Sequence, residues 1–197
     1  MRAGLIGCMT TPAQGNIIPD LAWWAADNGR FGKGWPGADE WFRWLAGQVE
    51  RYGTERCLWA LAPDVPFDAA GTLEESMEWL PRIRALGIPA AFAAQDGCDL
   101  LGIPWGEFDV LFLAGSTEWK IGRVAHRLTQ EAKERGKQVH MGRVNSKRRL
   151  QLAEWFGCDT CDGTYLAFGP DVNLTRLLGW VDDLTRQPSL MFAEPPA

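Results

Sequence analysis

Short, nearly continuous apolar runs alternate in this chain with longer amphipathic stretches, and four of the runs break off into acids, amides or glycines. Leu58 to Ala62 runs into Pro63 and Asp64, Ala90 to Ala94 into Gln95, Asp96 and Gly97, Val110 to Ala114 into Gly115 and Ser116, and the segment from Cys158 into Asp162 and Gly163. Runs of this kind, without a polar alternate face, are the mark of parallel strands covered on both sides. The pattern predicts strands over 3–9, 57–62, 89–94, 109–114, 137–142 and 158–162, with a further short one leading into Asp27. Helices are expected over 38–52, 71–86, 119–135, 146–156 and 171–185. Thr72 ahead of Glu74 and Glu75, and Ser146 ahead of its periodic stretch, are start signals; Gly87, Gly136 and Gly157 are stop signals.

Repeated βα units build either an open doubly wound sheet or a closed barrel. No Gly-x-Gly-x-x-Gly or Gly-x-x-x-x-Gly-Lys-Ser/Thr motif follows any run, which removes the usual dinucleotide and P-loop reasons for an open sheet. Polar groups at the ends of several strands favour the barrel, because a closed ring brings them to one mouth. The expected fold class is α/β, a compact TIM-type (β/α) barrel, irregular or with reduced units because 197 residues are short for eight. One domain is expected over residues 1–186, and an extended or disordered tail over 187–197, where Pro188, Pro195 and Pro196 fall.

No stretch of about 18 uninterrupted apolar residues exists, so no membrane partner is expected. Five cysteines, at 8, 57, 98, 158 and 161, make no secreted disulfide framework, and the chain reads as cytoplasmic with reduced thiols. The eleven tryptophans are chiefly packing residues, with one or two free to stack on a base. The net charge of -5 hides a basic window: Lys120 to Arg149 holds ten Lys or Arg against Glu131 and Glu134. Such a window is either a solvated helix face or a phosphate-binding zone.

The segments Asp27-Asn28-Gly29-Arg30-Phe31, Ala62-Pro63-Asp64-Val65-Pro66-Phe67-Asp68, Gln95-Asp96-Gly97, Ala114-Gly115-Ser116, His140-Met141-Gly142-Arg143-Val144 and Gly157 to Gly163 appear in that order. As an ordered set spanning about residues 4 to 180, this resembles the queuine and archaeosine tRNA-guanine transglycosylases. It is more similar still to their phage and bacterial relatives that place 7-deazaguanines in DNA. The resemblance implies Asp162 as nucleophile and Asp27 as general acid/base, with Asn28, Asp64, Gln95, Gly115 and Met141 binding the base. Asp64 would accept from the amino and ring N–H edge of a guanine-like base, while Gln95 and the Gly115 backbone would serve its carbonyl.

These residue types suit that chemistry on physical grounds too. Exchange at a sugar C1′ passes through an oxocarbenium-like state that a fixed carboxylate can trap covalently. Reading a purine edge takes a carboxylate acceptor and amide or backbone donors in a dry pocket. Arg143, Lys147, Arg148 and Arg149, with the N-terminus of the helix beginning near Ser146, would hold nucleic-acid phosphates.

The implied function is a DNA-guanine transglycosylase, a pentosyltransferase of phage genome modification. Its partners would be DNA with a single-stranded or flipped-out guanine, and a base such as 7-cyano-7-deazaguanine. Neither cofactor nor metal is expected: the tRNA enzymes' zinc site of three cysteines and a histidine has no counterpart, since no Cys or His follows Asp162. The alternatives are exchange on tRNA, a non-catalytic 7-deazaguanine or nucleic-acid binding protein, and a hydrolytic glycosylase. Asp64 and Gln95-Asp96-Gly97 also have a plain reading as turn formers.

Overall fold

The computed structural model describes residues 6–186, which lie in two compact units that divide at Val110. The first unit carries β1 (Cys8–Thr10), β2 (Trp24–Ala26), α1 (Ala38–Tyr52), β3 (Cys57–Leu61), α2 (Ala69–Ala85), β4 (Ala90–Ala94) and α3 (Cys98–Leu101). The second begins within β5 (Val110–Leu113) and continues through α4 (Thr117–Lys120), α5 (Arg123–Glu134), β6 (Gln138–Met141), α6 (Lys147–Phe156) and β7 (Thr160–Cys161). A 3₁₀ turn (Tyr165–Ala167) and α7 (Pro170–Arg186) follow.

Strand order is chain order, β1-β2-β3-β4 in the first unit and β5-β6-β7 in the second. The pairings β1–β2, β2–β3, β3–β4 and β6–β7 are parallel. Sequential parallel strands joined by helices are the pattern of a barrel fold and not of a doubly wound sheet, whose strand order reverses. The chain has the expected irregular (β/α) barrel-type fold, with seven strands among the described residues.

Each unit buries its own apolar set. Trp24, Trp41, Trp59, Leu80, Ile83 and Phe92 are buried in the first, and Leu111, Leu113, Leu128, Val139 and Phe156 in the second. One device recurs in both. Asp109, just ahead of β5, accepts from the first N–H of β4 and from Arg84 of α2. Asp159, just ahead of β7, accepts from the Val139 N–H of β6 and from Lys133 of α5. A carboxylate there satisfies an otherwise orphan strand donor and pairs with a cation from the preceding helix.

Every expected element but the first strand and the 119–135 helix forms within two residues of the anticipated ends, and three differences stand out. The helix expected over 119–135 is two helices, because Ser116 caps α4 by accepting from the Trp119 N–H at 3.2 Å and Gly122 interrupts the run before α5. Lys120, the last residue of α4, is fully buried as a result. The second departure is α2, which begins at Ala69: Asp68 caps it, while Thr72 exchanges hydrogen bonds with the Val65 backbone. The third is the first strand, which forms over Cys8–Thr10; positions 3–5, like the tail at 187–197, lie outside the described residues.

Candidate functional site

In the second unit three strand ends contribute to one carboxylate. Parallel pairing sets His140 opposite Thr160 and Met141 opposite Cys161. Side chains two apart on a strand share a face, so Asp162 emerges on the face of Thr160, and His140 lies against both. Its Nδ1 is 2.8 Å from the Thr160 hydroxyl, and its Nε2–H donates to Oδ1 of Asp162 at 3.1 Å. The Arg143 N–H donates to the same Oδ1 at 3.0 Å. Oδ2 accepts no hydrogen bond from the described residues. The Asp162 side chain is 18% exposed, His140 only 4%.

Gly142 makes room for this arrangement. A Cβ there would stand 2.8 Å from Cε1 of Phe112 and 3.4 Å from Oδ1 of Asp162. Phe112 in turn packs its ring on His140, centroids 4.6 Å apart. Gly163 is equally constrained, since a Cβ would collide with the Val144 carbonyl, whose own N–H donates to the Asp162 backbone carbonyl at 2.6 Å. Arg143 has φ of 60°, rare for a residue with a side chain. Its guanidinium holds that conformation by donating to the carbonyls of Ala114, at 2.6 Å, and of Gly115.

The electrostatics follow from these neighbours. Burial works against the Asp162 charge, but the His140 hydrogen bond and charge, the Arg143 N–H and the Lys120 ammonium outweigh it and hold the carboxyl below its ordinary range. Lys120 reaches Nζ to the Gly142 carbonyl at 2.5 Å. Burial foremost, with Arg143 and Arg149 assisting and Asp162 opposing, brings its ammonium down to about 7.

The first unit holds a polar cluster at the ends of β2, β3 and β4. Asn28, Asp64 and Gln95 are all buried. Asp64 accepts from Asn28 Nδ2 through Oδ1 at 2.8 Å and from Gln95 Nε2 through Oδ2 at 2.7 Å; Gln95 Oε1 accepts from the Phe67 N–H and Asn28 also reaches the Ala62 carbonyl. Burial pushes the Asp64 carboxyl up, against the pull of Asn28, Arg30 and Gln95. Arg30 is paired with Glu75. Asp27 accepts from the Gly29 N–H at 2.6 Å, a local turn. Both oxygens of Asp64 are thus engaged by the protein's own amides.

The remaining expected site residues fall as follows. Met141 is fully buried. Gly115 is engaged through its carbonyl, by Arg143. Of the four basic residues, Arg143 grips backbone carbonyls, Lys147 pairs with Asp183 at 2.5 Å, Arg149 points Nη1 at the Arg143 carbonyl at 3.5 Å, and Arg148 is exposed. Among the described residues no group of three or more His, Cys, Asp or Glu could hold a metal ion, and no helix is long and apolar enough to cross a membrane. Lys120 and the anchoring role of His140 escape a sequence reading.

No protein-family model matches the sequence, and neither does any curated protein. Among solved structures the chain is similar to the Xanthomonas citri FimX EAL domain in complex with c-diGMP, at 17% identity and a TM-score of 0.47, over 73% of this chain and 58% of that one. It is also similar to a protein described as a glycerophosphoryl diester phosphodiesterase from Silicibacter pomeroyi, at 17% identity and a TM-score of 0.49, over 80% and 50%. A third is the Bacillus subtilis YkuI protein, with an EAL domain, in complex with c-di-GMP and calcium, at 17% identity and a TM-score of 0.47, over 84% and 45%. The chain spans about half the length of the structures it matches.

These findings overturn the expected family. The four solved structures FimX, YkuI and two glycerophosphoryl diester phosphodiesterases, to which the chain is similar, include no transglycosylase. Membership of the transglycosylase family, the pentosyltransferase activity, phage DNA modification, and DNA and 7-deazaguanine as partners are therefore withdrawn, together with the tRNA and nucleic-acid-binding alternatives. The resemblance rested on pieces of two to eight residues that pair strand ends with turn formers, a pattern that the barrel-type fold itself produces.

Proposed function

We propose that the protein is an enzyme that works by covalent catalysis, with Oδ2 of Asp162 as nucleophile toward an electrophilic centre of an anionic substrate. The observation that carries this reading is the division of labour within one carboxylate: Oδ1 takes two donors, while Oδ2 takes none from the described residues. A carboxyl held below its ordinary range is a weak base at neutral pH and so poorly suited to proton abstraction, but it is ionised there, as a carboxylate nucleophile must be. Lys120 acts on Asp162, and Arg143 and Arg149 act on Lys120, so the surroundings are positive and favour an anionic substrate.

Residues 1–186 act in this reading as one domain, which a single cooperative unfolding transition would support and two resolved transitions would oppose. The five free cysteines fit a reducing cytoplasm.

The test is a panel of chromogenic phosphodiester, phosphomonoester, ester and glycoside substrates, with quenched reactions read by intact-protein mass and peptide mapping. The expected result is an adduct on the peptide containing Asp162 that is lost, with turnover, in Asp162→Asn. Turnover retained in folded Asp162→Asn, or an adduct on another residue, contradicts the reading.

A further inference from the structure

Lys120 is one of the most deeply buried charged groups in the described chain, and a side chain of this kind is expensive to bury unless it has a task. Its Nζ meets the Gly142 carbonyl. The N–H of the following residue, Arg143, meets Oδ1 of Asp162. These two contacts belong to a single peptide unit, since the carbonyl of Gly142 and the N–H of Arg143 share one amide bond. In a trans amide the two point in opposite directions, so a cation on the oxygen and an anion on the N–H act along the same dipole.

We propose that Lys120 is a positioning residue that aligns Asp162 and stabilises its carboxylate through the Gly142–Arg143 peptide. A proton on Lys120 draws electron density toward the carbonyl oxygen and strengthens the N–H as a donor to Asp162, because hydrogen bonds in series polarise one another. Three further features serve this one peptide. The positive φ of Arg143 sets its orientation relative to the chain that follows, the Arg143 guanidinium locks that conformation onto the Ala114 and Gly115 carbonyls, and Gly142 lacks the Cβ that would strike Phe112. The inference rests on Asp162 as the reacting group for its purpose, but not for its physical content.

The charged groups acting on Lys120 are Asp162, which favours its proton, and Arg143 and Arg149, which oppose it; His140 faces Asp162 from β6. With the ammonium brought down to about 7, the link is switched on below neutral pH and off above it.

The experiment needs no substrate. In the full chain labelled with ¹⁵N and with ¹³C at lysine Cε, the Lys120 resonance and the Arg143 amide are followed from pH 5 to 10, with the His140 ring protons recorded separately. The Arg143 amide is expected to shift with the same midpoint as Lys120, near neutrality, and in Lys120→Met that step is lost; a separate ¹³C titration of the Asp162 carboxyl into acid is expected to show its midpoint raised in Lys120→Met. An Arg143 amide that stays flat, or follows only His140, overturns the proposal, as does a Lys120 that titrates in the ordinary lysine range. Should Lys120→Met fail to fold, the wild-type titration decides alone. A missing covalent adduct on Asp162 would defeat the proposed function and leave this result standing.

Discussion

His140 donates through Nε2 to Oδ1 of Asp162 at 3.1 Å, with its other ring nitrogen 2.8 Å from the Thr160 hydroxyl. The ring is fixed at both ends, by Thr160 of the neighbouring strand β7 and by Asp162 just past its end, and the parallel register brings them into line. A charge-assisted hydrogen bond of this sort is worth about 1.5–3 kcal/mol.

His140→Ala removes that bond and should lower turnover by roughly 10- to 100-fold at neutral pH, with the Asp162 midpoint moving up. His140→Gln, which keeps a donor, should restore part of it. Kinetics on a substrate identified from the panel, with a carboxyl titration alongside, measure both; an unmoved Asp162 midpoint in folded His140→Ala removes histidine from the anchor.

Lys120 carries a pH dependence of stability whose sign is fixed. Its folded value, about 7, lies below the ordinary one of about 10.4, so between these the unfolded chain binds more protons and stability rises with pH. The burial cost is fully present below pH 7 and fades toward pH 10. Urea unfolding from pH 6 to 10 should show this rise in the wild type and a flatter profile in Lys120→Met. Parallel profiles would mean that Lys120 is not buried in its charged form.

Gly142→Ala and Gly163→Ala should each destabilise the chain by about 1–3 kcal/mol, the usual cost of forcing atoms into a filled site. Gly142→Ala strikes Phe112, which packs on His140, and through that ring should disturb the Asp162 anchor and impair catalysis beyond its effect on folding. Denaturation midpoints compared with specific activity separate the two effects. Wild-type stability in either variant would mean that these backbones have room to yield.

Asp64→Ala strips an acceptor from Asn28 and Gln95 deep in the first unit. Leaving buried donors unmatched costs about 1–3 kcal/mol, and equilibrium unfolding should show a loss of that size. Because burial raises the folded carboxyl, its contribution is present at acid pH and is lost as pH rises from the ordinary carboxylate range through the raised one. A stability unchanged in Asp64→Ala would show that water satisfies those amides.

Much of this was legible from residue order. The continuous apolar character of segments such as Ala90–Ala94 announced parallel covered strands, and the acids after them marked the strand ends where Asp64 and Asp162 now stand. What the pattern could not show was the partner of each acid. Asp64 looks like a ligand-reading carboxylate until its two oxygens are seen on Asn28 and Gln95, and such pairings depend on side chains 31 and 36 positions apart. Lys120 reads as one more cation in a basic window, and only the break at Gly122, which ends α4 beside it, turns it inward. The basic residues 143 to 149 illustrate the converse. Counted as charges they suggest a phosphate surface, yet three of the four expected there bond to the protein's own carbonyls or carboxylates.

In the proposed reading Asp162 is a carboxylate ionised at neutral pH, with one oxygen held by His140 and Arg143 and the other left to react. Its folded carboxyl lies below the ordinary range, so it contributes stability that is complete above about pH 4 and is lost as pH falls through the folded midpoint. The most direct measurement is the ¹³C resonance of the Asp162 carboxyl followed against pH, assigned by its absence in Asp162→Asn. The expected result is an ionised signal from pH 8 down through the ordinary aspartate range, with a midpoint below about 3.9. A midpoint at or above that value would contradict it.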